Sequence, residues 1–484
     1  MGYVRKTNKR EIQLKPQMKI GLIYPNEGKK EIAFHVGLGY IASYARANHP
    51  EVQIQILDTR IASKNEKIKF LATEFDLIGI TLMSGIFNQA LNIASKIKER
   101  FPQTKICVGG PYVSTLESNI LDYKVFDFGV FGEGELTFSE LISYLKGKVK
   151  PEYIEGLIYR DALENIIKNK PRPAIKNIDE IPYPAYDLFK MKSYPIHRIV
   201  TSRGCPYKCS FCSSAAVWEY RWRKRSPQKF VEEIAYLLKN YGRKTFFFND
   251  DSFNMSLQRA EEICDELVEK KLKVLWSTPL RADFINPELA KKMKQAGCYN
   301  VGIGIESANN DILERMEKQI TIEEITKGIK IFREAGIEVL GQFVIGAIGE
   351  TAQTFKQTLN YAINSELDFA LFYSVLPYKG TSQWEYVKNH GKFLHHIIHE
   401  FHDIKPRVIF ETPEFTYDER VIAIQQAKQA GFYVDDNRLN YVFDFGRTAA
   451  KHFQRVLPAT IGNKLYLAMK SFYRNKLKDK WIKQ

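Results

Sequence analysis

The sequence predicts an α/β protein: an N-terminal doubly wound, Rossmann-like parallel sheet, then a partial (β/α)6 TIM-like barrel, then a helical C-terminal region. Three observations carry this reading. Residues 18–147 alternate short apolar segments with amphipathic helical ones. The same alternation restarts at Arg198 and makes six βα steps, and it weakens from about residue 385. A chain of 484 residues with 44% hydrophobic side chains is too long for one ordinary domain and apolar enough to fill several cores. The expected division is 1–149, a connector at 150–196, the barrel at 197–384, and the C-terminal region at 385–484.

In the first unit the strands are read at 18–25, 52–58, 76–82, 105–110 and 127–132. Helices are read at 37–48, 65–75, 87–101, near 116–122, and at 135–147. Ligands of such sheets sit beyond the carboxyl ends of the strands, where the loops Pro25–Gly39, Thr81–Gly85, Gly109–Pro111 and Gly132–Glu135 fall. The connector holds a candidate hairpin (IEGLIYR, ENIIKNK) and a proline-rich extended stretch. In the second unit strands are read at 198–202, 244–250, 273–278, 299–306, 338–346 and 369–377, with helices near 227–241, 256–271, 287–296, 321–335 and 351–365. Barrel chemistry belongs at the strand C-termini.

Beyond the barrel, DERVIAIQQAKQAGFYV and RTAAKHFQRVL read as packing helices. His395, His396, His399 and His402 lack acidic or cysteine partners in sequence, so a structural helix is favoured over a metal site there. The formal charge is +15, and the tail from Lys464 to Gln484 mixes Lys470, Arg474, Lys476 and Lys478 with Leu465, Tyr466, Phe472 and Trp481. That mix fits either a solvated tail or an interfacial helix on an anionic membrane. No long apolar run and no N-terminal apolar region suggest a spanning helix or a secretory signal, so the expected location is cytoplasmic, with peripheral membrane contact through the tail as the variant. No RNA-binding module follows the barrel, and nucleic acid is not expected as a partner.

Of six cysteines, Cys107, Cys264 and Cys298 stand alone in apolar contexts and read as buried hydrophobes. Cys205, Cys209 and Cys212 lie within eight residues as Cys-x3-Cys-x2-Cys, directly after the first barrel strand. Three thiolates hold three irons of a [4Fe–4S] cubane and leave the fourth open. A structural zinc site would want a fourth closing ligand, and no second cysteine pair exists.

The run CPYKCSFC resembles the signature of the radical S-adenosylmethionine (SAM) superfamily. The resemblance extends in order through FFFNDDSF, LRADFI, GIGIESANNDILERMEK and GQFVIGAIGET, covering roughly 195–380. It implies that SAM chelates the open iron, with Phe211, Asp250, Arg281, Glu306 and Gly346 around it and Asp251, Asp283 and Glu350 nearby. Asp250 and Asp251 could instead cap a helix, and Arg281 could pair with Asp283 or Glu306. Ala347-Ile348-Gly349 departs mildly from the proline-glycine common in relatives.

The N-terminal unit resembles the cobalamin-binding domain of B12-dependent radical SAM proteins in GLGYIASYAR, GITLMSG, VGGPYVST and FGEGELTF. This implies a corrinoid held by Gly39, Thr81, Ser84, Gly109, Gly110, Gly132 and Glu133. After the second strand the chain reads Asp58-Thr59-Arg60, without the Asp-x-His of other B12 domains, so no axial histidine comes from there; His35 is a secondary candidate. The resemblance implies a cobalamin-dependent radical SAM methyltransferase-like enzyme that uses a [4Fe–4S] cluster, SAM and cobalamin. Its expected partners are a small-molecule or lipid-like substrate and a reductant such as flavodoxin or ferredoxin. Cyclisation, rearrangement or oxidation, with or without the corrinoid, is the alternative enzyme reading. A corrinoid or cluster carrier is the non-enzymatic one.

Overall fold

The computed structural model describes residues 17–26, 34–194, 197–395 and 404–435. Its first sheet has the strands β1 (Lys19–Tyr24), β2 (Gln53–Asp58), β3 (Leu77–Thr81), β4 (Lys105–Gly109), β5 (Phe128–Val130), β6 (Leu157–Arg160) and β7 (Ile166–Lys168), in the order β2-β1-β3-β4-β5-β6-β7. Strands β1 to β5 pair in parallel, and β6 and β7 are antiparallel. The hairpin read as part of the connector therefore extends this sheet, because β6 finds its partner in β5.

The pleat explains the double winding. On β1, Ile20, Leu22 and Tyr24 face the helices α1 (Val36–Asn48) and α5 (Gly134–Leu145). Ile23 faces α2 (Lys64–Leu71), α3 (Phe87–Arg100) and α4 (Pro111–Leu116). The helix read near 116–122 is α4 followed by a 3-10 turn at Glu117–Asp122.

The connector closes over α1 through Tyr186, Phe189 and Tyr194, whose rings pack around Phe34. Its apolar residues and those of α1 belong to one core that continues into the barrel. The proline-rich stretch is thus a packed seam.

The second sheet takes β8 (His197–Ile199), β11 (Thr245–Phe248), β12 (Leu275–Leu280), β13 (Cys298–Glu306), β14 (Glu338–Ile345), β15 (Phe369–Ser374) and β18 (Tyr433–Val434), all in parallel. Two short strands, β9 (Ser202–Arg203) and β10 (Arg223–Lys224), pair antiparallel beside it. So do β16 (Lys392–Phe393) and β17 (Phe410–Glu411). The six expected strands are present, and β18 adds a seventh from the C-terminal region.

The outer helices are α6 (Ser214–Trp218), α7 (Pro227–Tyr241), α8 (Leu257–Glu269), α9 (Pro287–Gln295), α10 (Asn310–Arg315), α11 (Ile322–Glu334), α12 (Ala352–Asn364), α13 (Ser382–His390) and α14 (Tyr417–Gln429). Their starts are written locally. Ser226, Ser256, Asn286, Thr321 and Thr351 accept from first-turn amides, and Pro227 and Pro287 sit where no amide donor is needed. The second expected C-terminal helix, three of the four histidines and the basic tail lie outside the described residues. No helix among the described residues is long and apolar enough to cross a membrane.

Candidate active site

The cysteines occupy the excursion between β9 and β10. Gly204 opens it at φ +85, where a Cβ would overlap the Arg221 carbonyl oxygen, so the turn admits only glycine. Ser210 is gripped on both sides: its amide donates to Met316 O at 2.9 Å, and its carbonyl accepts from Gln383 N at 2.8 Å. Cys205, Cys209 and Cys212 are free and half-buried, and each lies within electrostatic reach of another. Burial pushes all three thiols up, Cys212 to about 12, so taking up iron displaces their protons. Among the described residues no three His, Cys, Asp or Glu side chains converge on one ion. A cubane would take one thiolate per iron, and three half-buried free thiols in a single loop fit it as a donor set. The lone cysteines Cys107, Cys264 and Cys298 are buried, as their sequence contexts indicate.

The residues read as a SAM shell divide into two groups. Asp250 is buried against the turn that leads into the cysteine loop. Its Oδ1 accepts from Thr201 N at 2.7 Å and Ser202 N at 3.1 Å, and its Oδ2 from Ser202 Oγ at 2.7 Å and from the Thr201 hydroxyl. Arg281 sends Nε and Nη2 to Asp283 at 3.0 and 2.8 Å, donates to Lys318 O at 2.9 Å, and lies 3.7 Å from the Tyr207 ring centroid. Both hold loops in place, and Arg281 makes the ion pair with Asp283 that its spacing allowed.

The second group faces the cluster loop. Glu306 ends β13 at a register shift and takes φ +65, a strained conformation for a side chain this long. Its Oε1 accepts from Lys318 Nζ at 2.8 Å, both side chains being largely buried. Burial opposes the Lys318 charge, but Glu306 and Cys209 outweigh it and the ammonium is stabilised. Lys318 is a polar residue that sequence reasoning missed; its place in ERMEK, twelve residues past Glu306, carried no signal of its own.

Phe211 packs in an apolar cluster with Met316, Val344, Ala347 and Val375. Gly346 has φ +101, and a Cβ there would overlap Arg420 Nη1. Its amide donates to Glu350 Oε2 at 2.5 Å, while burial pushes Glu350 up to about 7 and leaves Oε1 unpartnered.

In the first unit the strand ends also divide. Gly110 has φ +106, with Leu82 O 2.8 Å and Thr81 Oγ1 3.1 Å from where a Cβ would stand. Gly109 meets nothing closer than 3.6 Å, and Gly132 meets nothing within 4 Å. Of these strand-end glycines, Gly132 alone faces open space at its Cβ position. Ser84 hydrogen-bonds Tyr378, which follows β15.

Gly39 and Glu133 have structural contacts that the sequence did not show. A Cβ on Gly39 would stand 2.7 Å from Pro184 Cβ, so this glycine serves helix-to-connector packing. Both carboxylate oxygens of Glu133 are taken by Arg203 and Arg223. His35 caps α1, with Nδ1 accepting from Leu38 N at 3.1 Å, and burial followed by Arg60 and Arg198 pushes it down to about 3. Its neutral ring then carries the proton on Nε2, beside Thr81 Oγ1 at 3.5 Å. Asp58 pairs with Arg60 and accepts from Tyr194 OH at 2.7 Å.

Ser84–Tyr378 and Glu133–Arg203 both join a loop after a strand of the first sheet to a loop after a strand of the second. The carboxyl edges of the two sheets therefore face each other.

Comparison with known proteins agrees. The radical SAM superfamily model matches residues 199–362, and the B12 binding domain model matches residues 30–142. An uncharacterized methyltransferase of Pyrococcus horikoshii is 36% identical over 361 residues, spanning 72% of this chain and 78% of that one. An anaerobic magnesium-protoporphyrin IX monomethyl ester cyclase of Rubrivivax gelatinosus is 26% identical over 373 residues, 73% of this chain and 67% of the relative. The fold is shared with a radical SAM methyltransferase from Kitasatospora setae solved with cobalamin and a [4Fe–4S] cluster: TM-score 0.67, 18% identity, 77% of this chain and 75% of that one. The chain belongs to the radical SAM enzymes that carry an N-terminal B12-binding domain.

Proposed function

We propose that the protein is a cobalamin-dependent radical SAM methyltransferase acting on an unactivated carbon of a small-molecule or lipid-like substrate. The observation that carries this is the apposition of the two carboxyl edges, with three thiols on one side and the glycine-bearing ends of β4 and β5 on the other. When bound, the cluster supplies the electron that cleaves SAM to a 5′-deoxyadenosyl radical, and the corrinoid carries the methyl group.

The chain's own work is placement and exclusion of water. Cys205, Cys209 and Cys212 take three irons. Phe211 and the Gly346 turn back the adenine, and the Glu306–Lys318 pair addresses the polar end of SAM. Asp250 and Arg281 are positioning residues: one fixes the entry of the cysteine loop, the other stacks on Tyr207 within it. Thr81, Ser84, Gly109, Gly110 and Gly132 border the corrinoid. His35 is already spent as a helix cap, which favours a corrinoid without histidine ligation. The hairpin 157–168 is assigned to the first unit, whose sheet it extends, and β18 to the barrel unit, whose sheet it joins. A low-potential one-electron donor, a flavodoxin or ferredoxin, completes the system.

Cyclisation is the second reading, favoured by the cyclase named among the relatives. The test is anaerobic incubation of reconstituted enzyme with hydroxocobalamin, a strong reductant and SAM labelled in its methyl group. Methyl transfer gives S-adenosylhomocysteine with label on the corrinoid, together with 5′-deoxyadenosine. 5′-Deoxyadenosine alone would leave cyclisation or oxidation standing, and neither product would overturn both readings.

A further inference from the structure

The stems of the cysteine excursion carry an ionic group that the cofactor assignments do not use. Arg203 on β9 immediately precedes Gly204, and Arg223 is its antiparallel partner on β10. Arg203 Nη1 donates to Glu133 Oε1 at 2.7 Å, and Nη2 donates to Glu135 Oε1 at 2.7 Å. Arg223 Nη1 donates to Glu133 Oε2 at 2.6 Å and to Ile175 O at 2.8 Å. Ile175 N returns a bond to Glu133 Oε2 at 2.8 Å, and the Arg203 guanidinium lies 5.0 Å from the Tyr40 ring centroid. The side chains of Arg203, Glu133, Glu135 and Arg223 are 9%, 5%, 7% and 11% exposed.

Two cations meet two anions, so the group is neutral as a whole. Burying it still costs desolvation free energy before the pairs form, and apolar residues of the same shape would hold the seam about as well. What the ions add is direction. A guanidinium fork accepts only a narrow range of carboxylate positions. Glu133 follows Gly132, whose Cβ position is open, so the residue after this strand end of the first sheet is tied to both ends of the loop that bears the cysteines.

We propose that Arg203, Glu133, Glu135 and Arg223 form a positioning clasp that sets the separation of the cluster from the corrinoid. This rests on the functional reading above. A methyl carrier and a radical source must serve one substrate carbon, and a displacement of about 1 Å at a reacting centre can cost on the order of 100-fold in rate. The charged groups of the clasp bond one another and act through the loops they hold.

The test uses full-length holoenzyme, reconstituted with iron, sulfide and hydroxocobalamin and reduced until both the cluster and the cobalt are paramagnetic. The readout is the spin-relaxation enhancement of the cobalt signal by the cluster. Arg203→Met keeps the aliphatic stem and removes the fork. Arg203→Lys keeps the charge but cannot serve both carboxylates in the same geometry. The expected result is a weaker, broader enhancement in Arg203→Met at unchanged cluster and corrinoid content, with Arg203→Lys between it and the parent. An unchanged enhancement in Arg203→Met overturns the proposal. If that variant yields no folded holoenzyme, Arg203→Lys decides by the same readout, and the parent's value there overturns it. Failure of the parent to bind a corrinoid strikes the functional reading instead, and is seen before any variant is made.

Discussion

Gly204→Ala is the perturbation whose consequence follows most directly from the geometry. Gly204 lies at φ +85 between the clasp residue Arg203 and the ligand Cys205. A β-carbon there would overlap the Arg221 carbonyl oxygen and stand 3.0 Å from Trp218 Cβ. The left-handed backbone alone costs an alanine about 1–2 kcal/mol. Relieving the overlap requires shifting the β9–β10 stem, on the order of 1–3 kcal/mol more. The two sheets do not depend on this turn, so the loss of about 2–5 kcal/mol falls on the cluster loop, a fall in cluster affinity of roughly 30- to 5,000-fold. The assay is anaerobic reconstitution, iron and sulfide per chain, and the rate of loss to a chelator, with the melting of the apo chain as a control. Gly132→Ala is the internal comparison: its φ is +73 but nothing stands within 4 Å, so it loses only the backbone cost. A Gly204→Ala enzyme that holds a full cluster with the parent's resistance to chelation would refute the reasoning.

Other outcomes follow from the same contacts. Glu306→Gln leaves Lys318 buried without its carboxylate and costs about 3–5 kcal/mol, whereas Glu306→Gln with Lys318→Met recovers most of the stability without recovering SAM binding; calorimetry and equilibrium dialysis separate the two effects. Asp250→Ala strands the amides of Thr201 and Ser202 at about 1–3 kcal/mol each and lowers cluster content, and Asp250→Asn is milder because it keeps an acceptor. Glu350, raised by burial to about 7, is neutral when folded and ionised when unfolded in mildly acid solution. Its contribution is therefore full at low pH and is lost as pH rises through about 7. Urea titrations should show the parent losing about 2.5 kcal/mol relative to Glu350→Gln between about pH 5 and pH 8, and a pH-independent difference would contradict the assignment. Deleting 464–484 should abolish sedimentation with anionic liposomes, and unchanged sedimentation would remove the membrane-contact reading.

What could be read from the sequence was whatever is local. The alternation of apolar segments marked β1 to β5 of the first sheet and every strand of the second but β18, and the spacing of Cys205, Cys209 and Cys212 marked the cluster loop. The Ser and Thr caps of α7, α8, α11 and α12 are local in the same sense. Partners distant in the chain could not be read that way. Asp250 was recognisable as a polar strand end, but Thr201 and Ser202, nearly fifty residues away, take up its carboxylate. Glu133 belongs to a glycine-rich loop that reads as cofactor-facing, yet arginines 70 and 90 residues later claim both oxygens. Gly39 likewise packs on Pro184, a partner far along the chain. Lys318 and Gln383 gained roles because the fold brings them to Glu306 and to Ser210. The hairpin 157–168 looked independent because a two-stranded pair carries no sign of the sheet edge that will receive it.

The central claim is that one chain holds a cluster and a corrinoid at facing sheet edges. Anaerobic purification with added hydroxocobalamin, followed by iron, sulfide and corrinoid quantification, tests it most directly. The account predicts one cubane, about four iron and four sulfide, with one corrinoid per chain. Iron without corrinoid would contradict the role given to the first sheet, and zinc without iron would contradict the account at its root.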